Sequence, residues 1–384
     1  MHDVAIIGAG PVGATLALAL AGCGRDVVVL DPRARGATLR GDRTLALSHG
    51  SRLILERLEV WRELAKVEGA VTPILEIDVS QARGFGVTRL TAAEQDVPAL
   101  GYTVSYVALQ RALDEALDAA GVAVRFGSAA RAVRGGPVAA RVEVDADTPG
   151  AIEARLVAVA DGAGAQVDGV GRDRQEYGQC ALVASVWRDA PHGGIAFERF
   201  TPTGPIALLP ERDHYGLVWT VDPARAAPLI AIDERAFLAE LARAFGARVA
   251  GFTRVAGRKS FPLALERARS LVGPRIALIG NAAQQLHPVA GQGFNLGLRD
   301  AWALAQSVLD APREELGSPR MLSRYAARRR VDRSAGIAFT HGLVGVFGAE
   351  LPLVGLARGA GLALLDIVPP AKRAFARAML HGLR

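Results

Sequence analysis

Short apolar runs, glycine turns and helically spaced apolar positions alternate along the first 160 residues. Val4 to Ile7 is an unbroken apolar run of strand length, and a glycine-rich turn follows it. From about Pro11 to Ala21 the pattern predicts a buried helix. Val27 to Leu30 is a second run, β-branched as parallel strands tend to be. A polar segment follows, after which Leu53, Leu55, Leu58 and Trp61 are spaced as on one amphipathic helix from about Ser51 to Ala65. The pattern predicts a helix over 109–120, a strand over 122–126 and another over 156–160 that ends at Asp161-Gly162.

The texture then changes. Residues 180–187, 195–200, 205–209 and 215–221 are short strand-like stretches punctuated by Pro202, Gly204 and Pro210, which predicts an antiparallel sheet. A helix over 234–245 follows, then a buried strand over 275–279, and from about Phe294 onward the chain reads as helical. The expected fold class is α/β, with one unit interrupted by another and no internal repeat.

At 384 residues, half of them apolar, the chain is long enough for two closely packed domains. Cys23 and Cys180 form no CxxC pair, which argues against a disulfide framework, a zinc site or a dithiol centre. A strand pattern begins at residue 3, so no signal peptide is expected. The most apolar stretch, Gly342 to Pro370, is interrupted by Glu350, Arg358 and Asp366 and falls short of the roughly 18–20 apolar residues a span requires. A cytoplasmic protein, peripheral on the inner membrane, is the expectation.

Charge is unevenly placed. Residues 313–384 hold 12 Lys+Arg against 5 Asp+Glu, whereas the remainder holds 33 against 34. The basic excess lies among apolar segments (Leu343 to Phe347, Leu351 to Leu356, Leu362 to Leu365), flanked by Arg328-Arg329-Arg330 and by Lys372, Arg373 and Arg377. That pattern speaks against nucleic acid, whose footprint is a basic stripe with reading groups. It fits either a solvated helix face or an anionic lipid surface.

Gly8-Ala-Gly10-Pro-Val-Gly13 places GxGxxG between a strand and a helix. The first glycine allows the tight turn, the second lets the backbone approach a pyrophosphate, and the third lets helix and strand pack closely. The helix N-terminus offers free N–H groups to phosphates. Asp31, 18 residues beyond Gly13, ends the next strand where an acid can accept from an adenosine ribose. The motif predicts dinucleotide binding without separating NAD from FAD.

Two later motifs favour FAD. Asp161-Gly162 ends an apolar strand, where an acid can reach ligand hydroxyls. From Arg275 to Asp300 a strand feeds Gly280-Asn281, a loop carries His287-Pro288, and Gly291-Gln-Gly293 opens a helix. Glycines there let a flat ligand lie against backbone, and the helix dipole can stabilise negative charge on a reduced flavin.

On this GNAAQQLHPVAGQGFNLGLRD run, the chain resembles the FAD-dependent aromatic hydroxylases related to p-hydroxybenzoate hydroxylase. It is most similar to their ubiquinone-biosynthesis branch, the 2-polyprenyl-6-methoxyphenol hydroxylases. The likeness also takes in Phe200 to Pro210 and Tyr325 to Asp332. It implies a Rossmann-like FAD-binding domain (1–75, 101–178 and 265–320) interrupted by an antiparallel-sheet substrate domain (76–100 and 179–264), with a helical C-terminal region (321–384). By resemblance, Gly8, Gly10, Gly13 and Asp31 hold the ADP half of FAD, and Arg43 and Arg111 match FAD-contacting arginines. Asp161 and Gly162 form the motif implicated in FAD and nicotinamide binding. Asn281 meets the ribityl chain, His287 orders its loop, and the Pro288 region faces the substrate ring. The wider family follows its Asp-Gly with Ser and Arg, whereas here the chain runs through Ala165 to Asp168, which bears on nicotinamide handling.

The resemblance also implies the chemistry. NAD(P)H, a transient donor, reduces FAD, and O2 then gives a C4a-hydroperoxide that hydroxylates a prenylated phenol. The absence of a second GxGxxG and of any Ser-His-Asp set, carboxylate pair or metal cluster fits chemistry carried by the cofactor. Two alternatives stay open: a FAD-dependent oxidoreductase of another type, and a flavin-holding scaffold in a biosynthetic complex. A homo-oligomer is a further expected assembly.

Overall fold

The computed structural model describes residues 1–39, 42–82, 86–145, 150–162, 164–286, 291–348, 359, 361, 364 and 366–382, without the side chains of 339–348. Its first sheet is built on five parallel strands, in the order Ile276–Leu278, Gly150–Val159, His2–Ile7, Val27–Leu30 and Ala123–Arg125. Val4 to Ile7 and Val28 to Leu30 are buried, as strands covered on both faces must be. The helix Pro11–Leu20 begins with proline at its first position, where a missing N–H costs nothing. The strand Gly150–Val159 does double service. Its first half pairs antiparallel with Ala140–Asp145, and its second half joins the parallel sheet.

An eight-stranded sheet forms the other layer, with Arg172–Arg188, His214–Val221, Gly204–Glu211 and Ile195–Thr201 as successive antiparallel neighbours. Alternation is clear in its core. Leu182, Val186, Leu208, Leu217 and Trp219 point to one face, where Phe237 and Leu241 of the helix Glu234–Phe245 cover them. Arg172–Arg188 and Phe252–Ala268 are 17 residues long and pair with each other. The boundaries expected near 178 and 264 fall within these two strands.

A small antiparallel sheet of Thr44–Ser48, Gly101–Ser105 and Val71–Ile74 lies between the two layers. Its first strand occupies what the pattern read as part of a polar segment. The single helix expected from Ser51 to Ala65 is two, His49–Arg57 and Val60–Leu64. Glu59, with φ of 59°, takes the left-handed conformation that ends a helix and re-aims the chain, so that Val60 and Leu64 are buried.

Among the described residues, the long helices that follow are Gln292–Leu309, Pro319–Gly348 and Pro369–His381. Among the described residues no helix is long and apolar enough to cross a membrane. The expected membrane-facing basic set needs correction. Arg329 is buried between Asp300 and Asp332, and Lys372 is buried against Glu94 and Asp366. Arg328 pairs with Asp310, while Arg330, Arg373 and Arg377 are exposed. Of the three apolar segments, only Leu364 has a described side chain.

Candidate active site

The glycine turn Gly8–Gly13 has the close approaches that its first and third glycines predict. Gly8 has φ of 96°, and a Cβ there would lie 2.8 Å from the Ala160 carbonyl oxygen and 3.0 Å from Asp161 Cα. A Cβ on Gly13 would lie 1.9 Å from the Gly8 oxygen. Both positions are closed by the fold itself. Gly10 differs: a Cβ there meets no atom within 4 Å, and no side chain caps the helix it opens. The turn therefore presents uncapped helix N–H groups beside open space, the arrangement an anion uses.

Asp31 is buried beneath this turn. One carboxylate oxygen accepts from Ala9 N at 2.6 Å, and the other accepts from Arg33 N and Nε at 2.9 Å each. Arg33 also donates to the Ala9 oxygen and pairs with Asp114. Burial works against its charge, but Asp31 and Asp114 outweigh it and hold the guanidinium above its ordinary pKa. Gln110 is fully buried and donates to the Ala9 oxygen and to Asp114, 2.8 Å each. Sequence reading missed both residues. A polar side chain on the buried face of the helix Tyr106–Ala119 was the available signal for Gln110.

Arg111, one residue on, is exposed; the structure brings Gln110, not Arg111, to the turn. Arg43 is exposed and lies 4.5 Å over the Tyr106 ring at the start of that helix. Asp161 sits beside the turn, where its carboxylate accepts from Ala165 N, and Gly162 follows with open space around it. Asp168, in the departing segment, lies at the surface near Arg134.

The second glycine run opens the helix Gln292–Leu309, whose N-terminus also lacks a side-chain cap. Gly291 has φ of 58°, and a Cβ there would lie 2.8 Å from the Ala46 side chain. Gly293 has room, its Cβ meeting only Leu286 at 3.8 Å. Asn295, missed in the sequence reading, ties this helix to the strand Thr44–Ser48. Its amide nitrogen donates to the Gly291 and Ala46 oxygens (2.8 and 2.9 Å), and its oxygen accepts from Ser48 N at 2.8 Å. Thr44–Ser48 is an edge strand, and Thr44, Ala46 and Ser48 direct their backbone groups outward. Asn295 uses two of those groups and leaves the Ala46 N–H on the same edge. A backbone edge thus runs beside an uncapped helix terminus.

Asn281 is exposed on the short turn Gly280–Ala282; His287 and Pro288 lie outside the described residues. Behind that turn is a buried ionic brace between the helices Gln292–Leu309 and Pro319–Gly348. Asp300 accepts from Gly280 N (3.2 Å), Gln284 Nε2 (2.8 Å) and Arg329 Nε (2.6 Å). Arg329 and Arg299 both donate to Asp332. Arg333 donates to the Gln284 and Ala268 oxygens, and Tyr325 donates to the Leu278 oxygen. Burial alone would raise the Asp332 pKa, but Arg299 and Arg329 hold it below the usual carboxylate value.

Across from Thr44–Ser48 stands the other face of the eight-stranded sheet. Leu208, Leu217 and Trp219 point away, so Ala207, Leu209, Gly216 and Val218 point toward the small sheet, half-buried. Thr103 donates to the Pro210 oxygen and Thr44 to Glu211, which joins the two sheets at one rim. An apolar face therefore opposes a backbone edge and a helix N-terminus, the surroundings of a flat ligand with one polar rim.

The comparisons agree with this geometry. Residues 1–338 match the family described as FAD binding domain. Ubiquinone hydroxylase UbiL of Rhodospirillum rubrum is 36% identical over 396 residues, spanning 100% of this chain and 90% of its own length. The 3-demethoxyubiquinol 3-hydroxylase of Escherichia coli is 34% identical over 342 residues, 86% of each chain. In fold, p-nitrophenol 4-monooxygenase PnpA from Pseudomonas putida is similar at a TM-score of 0.78, over 100% of this chain and 99% of that one, with 19% identity. The open cradle at Gly10 and the match over 338 residues lead to one conclusion: this chain belongs to the FAD binding domain family.

Proposed function

We propose that the protein is a FAD-dependent monooxygenase that uses NAD(P)H and O2 to hydroxylate a prenylated phenol in ubiquinone biosynthesis. One observation carries the reading: the half-buried face of Ala207, Leu209 and Val218 opposes the edge strand Thr44–Ser48 and the helix terminus at Gly291. The relatives' names supply the substrate class.

The residues fit FAD. Gly8, Gly10 and Gly13 would cradle its pyrophosphate. Asp31, held by Ala9 and Arg33, would take the adenosine ribose with its remaining acceptor capacity. Arg43 and Arg111, both exposed, remain candidates for contact with FAD outside the turn, and Asn281 for the ribityl chain. The edge at Ala46 and the terminus at Gly291 and Gly293 would meet the polar rim of the flavin ring. Bound FAD supplies electron transfer from NAD(P)H and activation of dioxygen, which no side chain here can provide. The chain's own tasks are to hold that ring, to seat the phenol against the apolar sheet face and to keep water away. Asp161 and Gly162 would place the nicotinamide donor, and His287 and Pro288 would order the loop nearest the phenol.

The test is NAD(P)H consumption by the purified flavoprotein, with and without a short-tailed prenylated methoxyphenol. Oxidation stimulated by the phenol, with one oxygen atom gained by the ring, is expected. FAD that neither nicotinamide reduces would instead indicate a scaffold.

The surface supports a peripheral membrane location. Leu364 and Ile367 are 62% and 75% exposed, and the exposed Arg373 and Arg377 follow Ile367 by six and ten residues. Apolar side chains beside cations suit an anionic bilayer surface, where a polyprenyl phenol would be collected. Co-sedimentation with anionic vesicles at low salt, weakening as salt rises, is the expected result.

A further inference from the structure

We infer that the outer edge of the strand Phe252–Ala268, at Lys259 and Phe261, meets an anionic bilayer and exchanges the substrate's prenyl tail with it, a surface that rests on the hydroxylase reading above. A phenol seated against Ala207 and Val218 has to lead its tail out of the site, and the sheet register supplies a path. Ala207, Val218, Val183 and Lys259 are direct partners on successive strands. Thr220, Ala181 and Phe261 form the neighbouring row. Residues opposite one another share a face, so both rows lie on the side where the phenol is seated. Adjacent strands stand about 4.8 Å apart, so three intervals put Lys259 about 14 Å from Ala207. Small and β-branched side chains line the way.

That end of the path is open. Phe252–Ala268 pairs with Arg172–Arg188 on one side, and on the other only Glu266 and Arg267 have a strand partner among the described residues. Phe261 is 52% exposed, and Lys259 and Pro262 are exposed beside it. An aromatic ring next to an ammonium suits the boundary of a bilayer, with the ring among the upper acyl carbons and the cation at the headgroups. Charge agrees with that partner. From Gly251 to Leu265 the sequence carries Arg254, Arg258 and Lys259 and no Asp or Glu. The facing stretch, Tyr177 to Arg188, adds Arg188 and no acid. Arg258 is turned to the opposite face, where it donates to the Leu229 and Ile232 oxygens. Arg254 stays on the phenol side, over Trp187, and the acid at that end, Asp213, is bonded to Trp187 and His214.

A second copy of the chain is a poor occupant for this edge. Strand addition needs a regular ladder, and Pro262 has no N–H to offer one. Gly257, with φ of 68°, lies in a bulge where Gly257 and Arg258 together face Ala184. Lys259 on the edge further opposes pairing with another strand. A layer of lipid headgroups needs no register and tolerates all three.

The test is flotation of the FAD-loaded protein with vesicles of mixed neutral and anionic phospholipid at low salt, read by flavin absorbance. Wild type should float. Lys259→Glu and Phe261→Ser should each weaken vesicle affinity about tenfold. Both side chains stand at the surface, so melting and FAD content should match wild type. In Phe261→Trp, bromine on the lipid acyl chains should quench fluorescence beyond the quenching of wild type. With a long-tailed phenol carried in the vesicles, KM in Lys259→Glu and Phe261→Ser should rise at least about fivefold more than it does for a tail-less methoxyphenol in solution. Failure of the wild type to float, or wild-type affinity in both of these variants, would overturn the surface. So would loss of binding confined to Ile367→Glu, which would leave the contact beside the helix Pro369–His381. A wild-type dimer that Phe261→Ser dissociates, without vesicle binding, would assign the edge to a second copy instead. Absence of phenol-stimulated oxidation in the wild type would remove the hydroxylase reading, while flotation and quenching still decide whether lipid meets this edge.

Discussion

Two glycines three residues apart should fail in opposite ways when given a side chain. At Gly10 a Cβ meets no protein atom within 4 Å, and the backbone, at φ of −63° and ψ of 174°, suits any residue. Gly10→Ala should therefore leave the FAD-free protein as stable as wild type or firmer by about 0.4–1 kcal/mol, since the unfolded chain loses freedom. Gly10→Val adds bulk only where the pyrophosphate must come close. At Gly13 a Cβ would fall 1.9 Å from the Gly8 oxygen, a collision with backbone that cannot rotate away. Relief requires moving the helix off the turn, and Gly13→Ala should cost at least about 1–3 kcal/mol even without ligand.

The assay is thermal melting of stripped protein with and without added FAD. At a FAD concentration one hundred times its Kd, wild type should gain about 2.7 kcal/mol. Gly10→Val should lose most of that gain while its stripped form melts as wild type does. Gly13→Ala should melt early in both conditions. If Gly10→Val retained the full FAD increment, the cradle would not be at Gly10. If its stripped form were strongly destabilised, the open space there would be wrong.

Three further outcomes are expected. Asp300→Asn leaves Arg329 less than fully paired in a buried brace and should cost up to about 3–5 kcal/mol in denaturant unfolding; a loss below about 1 kcal/mol would mean the brace relaxes freely. Asp332 has its folded pKa held below its ordinary 3.8 by Arg299 and Arg329, so its contribution is present above that value and is lost as pH falls through the lower folded pKa. Arg299→Met removes one of the two cations that hold that pKa down, so its acid unfolding, followed by fluorescence, should begin at higher pH than in wild type; an unchanged acid midpoint would mean that Asp332 does not set it. Asp161→Ala should slow flavin reduction by NAD(P)H more than it weakens FAD retention, and stopped-flow reduction at wild-type speed would remove Asp161 from the donor site.

Much of the architecture was legible because burial imposes a local period. Val4 to Ile7 and Val27 to Leu30 are continuous apolar runs since both faces of a central parallel strand are covered. The helix Glu234–Phe245 declared itself at both ends, with Asp233 accepting from Ala236 N and Gly246 following. The GxGxxG turn was readable for a similar reason. Backbone conformation and close approach at Gly8 and Gly13 restrict the residue type whatever lies farther away.

Tertiary structure decided what depends on distant partners. Thr44–Ser48 carries too little apolar signal to declare a strand, and its place beside the site comes from pairing with Gly101–Ser105 and from Asn295, 247 residues beyond Ser48. The apolar phase of the helix Tyr106–Ala119 hints at Gln110 over Arg111 but gives neither a partner. The Ala9 carbonyl supplies one for Gln110, while Arg111 turns to solvent. Arg329 and Lys372 looked like surface charge in a basic tail, yet they are buried because Asp300, Asp332, Glu94 and Asp366 converge on them. A charge announces its sign in the sequence, but whether it faces water or a counter-ion depends on carboxylates that only the folded chain brings near.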